Sequence, residues 1–117
     1  MLGNMMQDQL LISGVLEHAI QTNPNTEIVS HTIEGNIHRY SILESSRRAK
    51  KLANALSSLG IKEGDVLGTM ALNGFRHYEL YFGISGTGAI LHTLNPRLFP
   101  EQVEYIVNHA EDKYLFI

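Results

Sequence analysis

The sequence contains no cysteine, which excludes a disulfide scaffold, thiolate zinc ligation and a cysteine nucleophile, and fits a reducing compartment. It also lacks a basic excess: nine Lys and Arg stand against twelve Asp and Glu, a formal charge of -3. Nucleic acid, which selects clustered positive charge, is not an expected partner. No long apolar run is present. The longest stretch without Asp, Glu, Lys or Arg, Leu80 to Pro96, is broken by glycines, Ser85, Thr87 and His92, and it falls short of the about 20 apolar residues that span a bilayer. No transmembrane segment is expected. The start, Met1 to Asp8, puts no basic residue ahead of the apolar stretch Leu10 to Leu16, unlike the charged front of a secretory signal. The expected location is cytoplasmic, and 117 residues allow one small domain.

What is present reads as alternating elements. Leu10, Leu11, Val15, Leu16 and Ala19 recur at helical spacing until Asn23-Pro24-Asn25 stops the chain. "EIVSHTIEGNIHRYSI" alternates around Glu34-Gly35-Asn36, and a Gly-first two-residue turn would put Val29, His31 and Ile33 on one face with His38, Tyr40 and Ile42. A β-hairpin over about 26–42 is expected. From Ser41 to Leu59, Ala49, Leu52, Ala53, Leu56 and Leu59 share a side opposite Arg47, Lys50 and Lys51, with Gly60 as a C-terminal cap. Then come the strand "VLGTMAL", a helix from Phe75 to Ser85, the strand "AILHTL", a helix opened by Pro100, Glu101 and Glu104, and the strand "KYLFI". This is an α/β pattern: a β-hairpin plus a βαβαβ parallel-sheet unit over about 66–117 with packed helices and right-handed crossovers. The mostly apolar "AILHTL" reads as a strand covered on both faces.

Several stretches invite a chemical reading. Gly83-Ile84-Ser85-Gly86-Thr87-Gly88 resembles a phosphate cradle in composition. A cradle, however, needs strand, loop and then helix, so that backbone amides and the positive helix end meet the phosphate. Here a helix enters the glycines and a strand leaves them, so Gly86 and Gly88 read as a helix stop with close helix-to-sheet packing. No P-loop lysine follows, and Thr87 stands where a nucleophile elbow needs its last glycine. Of His18, His31, His38, His77, His92 and His109, only His31 and His38 could meet, across the hairpin, and no further zinc ligand lies nearby. The "RRAKK" run at 47–51 reads as a solvated helix face rather than a membrane anchor. Asn73, Arg76 and His77 follow one parallel strand, and Asn95 with Arg97 follow the next. Ligands of open α/β sheets collect at such carboxyl ends, although capping and loop hydrogen bonds use the same residue types.

The run from Arg39 to Ile117 contains "YSILE", "LSSLGIKEGDVLG", "NGFRHYELYFGISGTGAIL" and "TLNPRLFPEQVEYIVNHAEDK". Together these resemble the N-terminal part of adenylate-forming enzymes, the AMP-dependent synthetase and ligase family. The opening "MLGNMMQDQLLI", with "HRY" and "HTLNPRLFPEQ", is most similar to its medium- and long-chain fatty-acyl-CoA synthetase branch. The resemblance implies a carboxylate attacking ATP, with Mg²⁺, to give an acyl adenylate and pyrophosphate, followed by displacement of AMP by coenzyme A. It also implies that residues 1–117 form part of a larger N-terminal domain. The family's Pro-Lys-Gly phosphate loop, its aromatic-Thr-Glu segment, its ribose aspartate and its C-terminal lysine domain have no counterpart in this sequence. No catalytic, cofactor-binding or metal-binding residue is therefore carried over. Ile117 falls inside an apolar strand, so the expectation is an inactive fragment whose partners are the remainder of the parent enzyme and further copies of itself. The rival reading is a short non-catalytic module for self-association or protein binding.

Overall fold

The order of helix-forming and strand-forming stretches is realised as nine elements in a computed structural model that describes residues 3–117. These are α1 (Ile12–Thr22), β1 (Glu27–His31), β2 (Ile37–Ser41), α2 (Ile42–Ser58), β3 (Val66–Thr69), α3 (Phe75–Ser85), β4 (Ile90–Thr93), α4 (Pro100–Ala110) and β5 (Tyr114–Phe116). β1 and β2 form the expected antiparallel hairpin, and β4-β3-β5 form a parallel sheet with β3 in the centre.

The hairpin turns differently from the sequence expectation. Thr32 N–H donates to the Asn36 carbonyl at 2.8 Å and Gly35 N–H to the Thr32 carbonyl at 3.1 Å. Gly35 takes φ +90°, so it is the last residue of a three-residue loop, the left-handed position that follows a type I turn. The resulting register pairs Ser30 with His38 and His31 with Ile37. This is an odd shift from the expected pairing, and an odd shift exchanges the faces. Ile28, Ser30, His38 and Tyr40 turn inward, whereas Val29, His31 and Ile37 are exposed. His31 and His38 therefore lie on opposite faces and cannot share a metal.

α2 begins where Ser41 Oγ accepts the Glu44 N–H at 3.1 Å, the N-cap expected of a Ser-x-x-Glu start. It ends in a Schellman turn: Gly60, at φ +81°, donates to the Ser57 carbonyl, and Ile61 donates to that of Leu56. This turn folds Ile61 into the core and leaves Leu59, expected on the apolar stripe, 57% exposed. The core joins Leu56, Ile61, Leu67, Leu80, Ile84 and Ala89, with Leu52, Leu91 and Phe116 at its border.

Residues paired across a parallel ladder point to the same face. Leu67, Leu91 and Phe116 thus face α2 and α3, whereas Gly68, His92 and Leu115 face the other way. There Leu115 and Met70 border an apolar groove of about 480 Å³ beneath Val103 and Val107 of α4. α3 and α4 consequently cover opposite faces, as right-handed crossovers to either side of β3 require. Two further expectations change. β4 is an edge strand with Ile90 52% exposed, and Leu10, Leu11 and Val15 are exposed, leaving Leu16 as the buried residue of α1.

Candidate functional site

The carboxyl edge of the parallel sheet is where the loops after β3 and β4 emerge. After β3, Gly74 precedes α3 without a side chain to cap it, and the cap comes from another element: Ser30 Oγ of β1 accepts the Phe75 N–H at 3.0 Å. The Phe75 ring stacks on His38 at 3.9 Å, and the Arg76 guanidinium lies 4.8 Å from its centroid. Arg76 also pairs with Glu34 of the hairpin loop at 3.0 Å, a bond that holds the Glu34 carboxyl below the usual range. His77 is buried, with Nε2 3.0 Å from Thr69 Oγ1 and Nδ1 without a partner among the described residues. Asn73 is exposed beside them.

After β4, Asn95 Oδ1 accepts the Arg97 N–H at 3.0 Å, closing an Asx turn. Arg97 is exposed, and among the described residues its guanidinium has no ion pair. The five candidates thus form two groups. Asn73, Arg76 and His77 gather where the hairpin meets α3, while Asn95 and Arg97 form a separate loop, and no hydrogen bond joins the groups among the described residues.

Residues 83–88 have the polarity expected from their order. Gly86 caps the C-terminus of α3, and Gly88 takes φ +80° before β4, so helix carbonyls rather than amides face the turn. Added Cβ atoms would crowd all three glycines, Gly86 against the Phe82 carbonyl of its own helix at 2.7 Å and Gly88 against Glu63 Cγ at 3.0 Å, but the approach between helices is at Gly83. A Cβ at Gly83 would lie 2.6 Å from Leu52 Cδ2 and 3.2 Å from the Ala49 carbonyl of α2.

Two polar pairs were not singled out in the sequence. Glu79, its side chain 9% exposed, meets Arg48 Nε at 2.6 Å, and burial followed by the Glu79 charge pushes the Tyr40 hydroxyl well above its usual pKa. An acid among Phe75, Leu80 and Gly83 on a buried helix face is the available signal, because such a charge needs a partner. Asp112, with no side-chain exposure, places its carboxylate oxygens 3.0 and 2.9 Å from His92 Nδ1. Gly68 makes room for it, since a Cβ there would lie 2.8 Å from Asp112 Oδ2. The His92–Asp112 contact joins residues 20 apart, across α4, and has no local sequence signature.

With the sheet order, the crossovers and the loop edge in place, the comparison with known families is decisive: the model of the AMP-binding enzymes matches residues 16–117. The chain belongs to the AMP-binding enzyme family. It is 47% identical over 116 residues to the 3-methylmercaptopropionyl-CoA ligase of Ruegeria lacuscaerulensis, covering 99% of this chain and 22% of that protein. It is 44% identical over 117 residues to the medium-chain-fatty-acid–CoA ligase of Ectopseudomonas oleovorans, covering 100% of this chain and 21% of that protein. The solved N-terminal domain of FACL13 from Mycobacterium tuberculosis superposes with a TM-score of 0.81 at 22% identity, over 90% of this chain and 26% of that one. This AMP-binding family chain thus spans about a fifth of the length of the curated relatives it matches.

Proposed function

We propose that residues 1–117 are the N-terminal subdomain of an acyl-CoA ligase whose acid substrate is a fatty acid, and that alone they carry no ligase activity. The observation that supports this reading is the match across nearly the whole chain to CoA ligases, one of them named for medium-chain fatty acids. In the parent reaction a carboxylate oxygen attacks the α-phosphorus of ATP and pyrophosphate leaves. The coenzyme A thiolate then attacks the acyl carbon and AMP leaves. Mg²⁺ would neutralise charge on the attacked α-phosphate and on the departing pyrophosphate.

Within this chain the carboxylates of Glu27, Glu34, Asp65, Glu79 and Asp112 are committed to Arg39, Arg76, Lys113, Arg48 and His92 respectively. Among the described residues no three His, Asp or Glu side chains come together. Carboxylates already held by cationic partners are poor magnesium ligands, and we assign metal ligation to the remainder of the parent. The glycine turn at 83–88 does not fit phosphate either, because it presents a helix C-terminus. Arg97 does fit. It is exposed, without an ion pair among the described residues, on a loop at the carboxyl edge of the sheet, and it is suited to a phosphate oxygen of a phosphate-bearing cosubstrate, ATP or coenzyme A. We further propose a cytoplasmic parent, in keeping with the lack of cysteine in these 117 residues; no helix of the described residues is long and apolar enough to cross a membrane.

The test is fatty-acid-dependent exchange of pyrophosphate into ATP. The 117-residue chain is expected to be inactive, and a longer natural chain that contains it is expected to be active. In that longer chain Arg97→Ala should raise the KM of ATP or coenzyme A, with little change in the KM of the acid. Robust exchange by the 117-residue chain would sink the inactivity claim.

A second reading, self-association, draws support from α1 and the residues before it. Leu10, Leu11, Ile12 and Val15 are 90, 56, 51 and 66% exposed, and contiguous apolar surface of this kind favours association.

A further inference from the structure

The loop from β3 to α3 holds a chemically labile pair. Asparagine side chains degrade when the next residue's backbone nitrogen attacks the carboxamide carbon, so the following residue governs the rate. Of the eight asparagines, Asn73 alone precedes glycine, which has no Cβ to obstruct that approach. Asn23 and Asn95 precede prolines, whose nitrogen has no hydrogen to lose. Asn54 and Asn108 lie inside α2 and α4, where helical hydrogen bonds fix the backbone.

The fold leaves this pair open. Asn73 is exposed, and among the described residues its carboxamide makes no hydrogen bond. The Gly74 amide likewise has no acceptor among them, whereas the neighbouring Phe75 amide is held by Ser30 Oγ at 3.0 Å. Residues 71–74 belong to no helix or strand, so turning Asn73 breaks no ladder or helix bond.

We propose that Asn73-Gly74 is a self-modification site, at which Asn73 becomes aspartate and isoaspartate, and that the isoaspartate form loosens the start of α3. The Gly74 nitrogen loses its hydrogen and bonds to Asn73 Cγ. The Cγ–Nδ2 bond breaks, ammonia leaves, and a succinimide ring closes. Water then opens the ring. Cleavage of the new Cγ–N bond gives aspartate on the original main chain, whereas cleavage between the Gly74 nitrogen and the residue-73 carbonyl carbon routes the main chain through Cγ and inserts a methylene. Water is consumed, ammonia is released, and nothing is oxidised or reduced.

The two products act differently on α3. Gly74 is its N-cap, and the Gly74 carbonyl accepts the Tyr78 N–H at 2.9 Å. Aspartate adds a negative charge just ahead of the positive helix end, which favours the helix. Isoaspartate lengthens the link from β3 and shifts Gly74 and Phe75 away from Tyr78 and Ser30. The proposal stands on this loop alone and does not rest on the ligase reading.

The experiment ages the 117-residue protein at mildly alkaline pH and maps its peptides by mass spectrometry, with enzymatic methylation to mark isoaspartate. Asn73 should convert ahead of the other asparagines. Gly74→Ala should convert about tenfold more slowly. It should also keep the fold, because φ -150° suits any residue and the added Cβ would lie 3.7 Å from Ser30 Oγ, an ordinary contact. Amide exchange at Phe75 and Tyr78 should accelerate in the isoaspartate form but not in Asn73→Asp. An Asn73 that stays intact while a free peptide of residues 70–77 converts would overturn the site, as would a Gly74→Ala chain that converts as fast as the wild type. Equal exchange in the isoaspartate form and in Asn73→Asp would overturn the effect on α3.

Discussion

At the scale of single residues, the glycines show how far the same substitution depends on surroundings. Gly83 lies where α2 and α3 cross, and a Cβ would come within 2.6 Å of Leu52 Cδ2 and 3.2 Å of the Ala49 carbonyl. Leu52 can yield, but a helix carbonyl cannot without moving α2. Gly83→Ala should therefore destabilise, because overpacking of about 1–3 kcal/mol exceeds the helix-propensity gain of about 1 kcal/mol. Gly14 lies inside α1 with nothing within 4 Å of its Cβ position, so Gly14→Ala should gain up to about 1 kcal/mol. Urea denaturation of the two variants should give midpoints on opposite sides of the wild type. In the sequence both are glycines inside apolar stretches, and neither stretch states which neighbour will approach.

At the scale of elements, the helices were legible and the hairpin register was not. The limits of α3 at Phe75 and Ser85, the start of α4 at Pro100 and the cap of α2 at Ser41 all follow from local rules of capping and periodicity. The hairpin loop instead contains Ile33-Glu34-Gly35, because placing Gly35 last rather than first puts Ser30, His38 and Tyr40 on the buried face. Alternation alone is satisfied by either face. What decides is the fit to α3: His38 stacks on Phe75, and Ser30 caps its amide. Ser30→Ala should leave that buried amide without an acceptor and cost about 1–3 kcal/mol. Hydrogen exchange at Phe75 should accelerate relative to exchange at Leu67 and Leu56, and an unchanged ratio would count against the cap.

At the scale of the whole molecule, pH acts through groups that join distant segments. Asp65 is hydrogen-bonded by Lys113 at 2.7 Å, and this bond, followed by the Lys62 backbone amide, lowers its pKa in the folded state. Its contribution is therefore present above the unfolded value of about 3.9 and is lost as pH falls through the lower folded value. Tyr40 and Tyr78 are shifted upward, chiefly by burial. Their neutral forms are favoured in the fold, so stability holds below the unfolded value of about 10 and declines as pH rises beyond it. Urea midpoints measured across pH should fall at both ends, and Tyr40→Phe should flatten the alkaline limb. If the limb is unchanged, Tyr40 is not its source. The exposed apolar residues of α1 and its approach lead to a further expectation: light scattering should report a mass above that of the monomer, and Leu11→Lys with Val15→Lys should lower it. A clean wild-type monomer at high concentration would remove the self-association reading.

The sequence by itself determined the order of elements, the parallel α/β class, the helix limits and the reversed polarity of the glycine turn, because each depends on residues within a turn or two of one another. It also contained the family resemblance, which is spread over most of the chain. Only the tertiary structure decided the hairpin face, the edge position of β4, the crossing at Gly83, and the pairs Arg48–Glu79, His92–Asp112 and Thr69–His77. The physical reason is the same in each case. Backbone periodicity and capping are short-range, whereas burial makes a polar or small residue meaningful only through the partner that the fold brings to it.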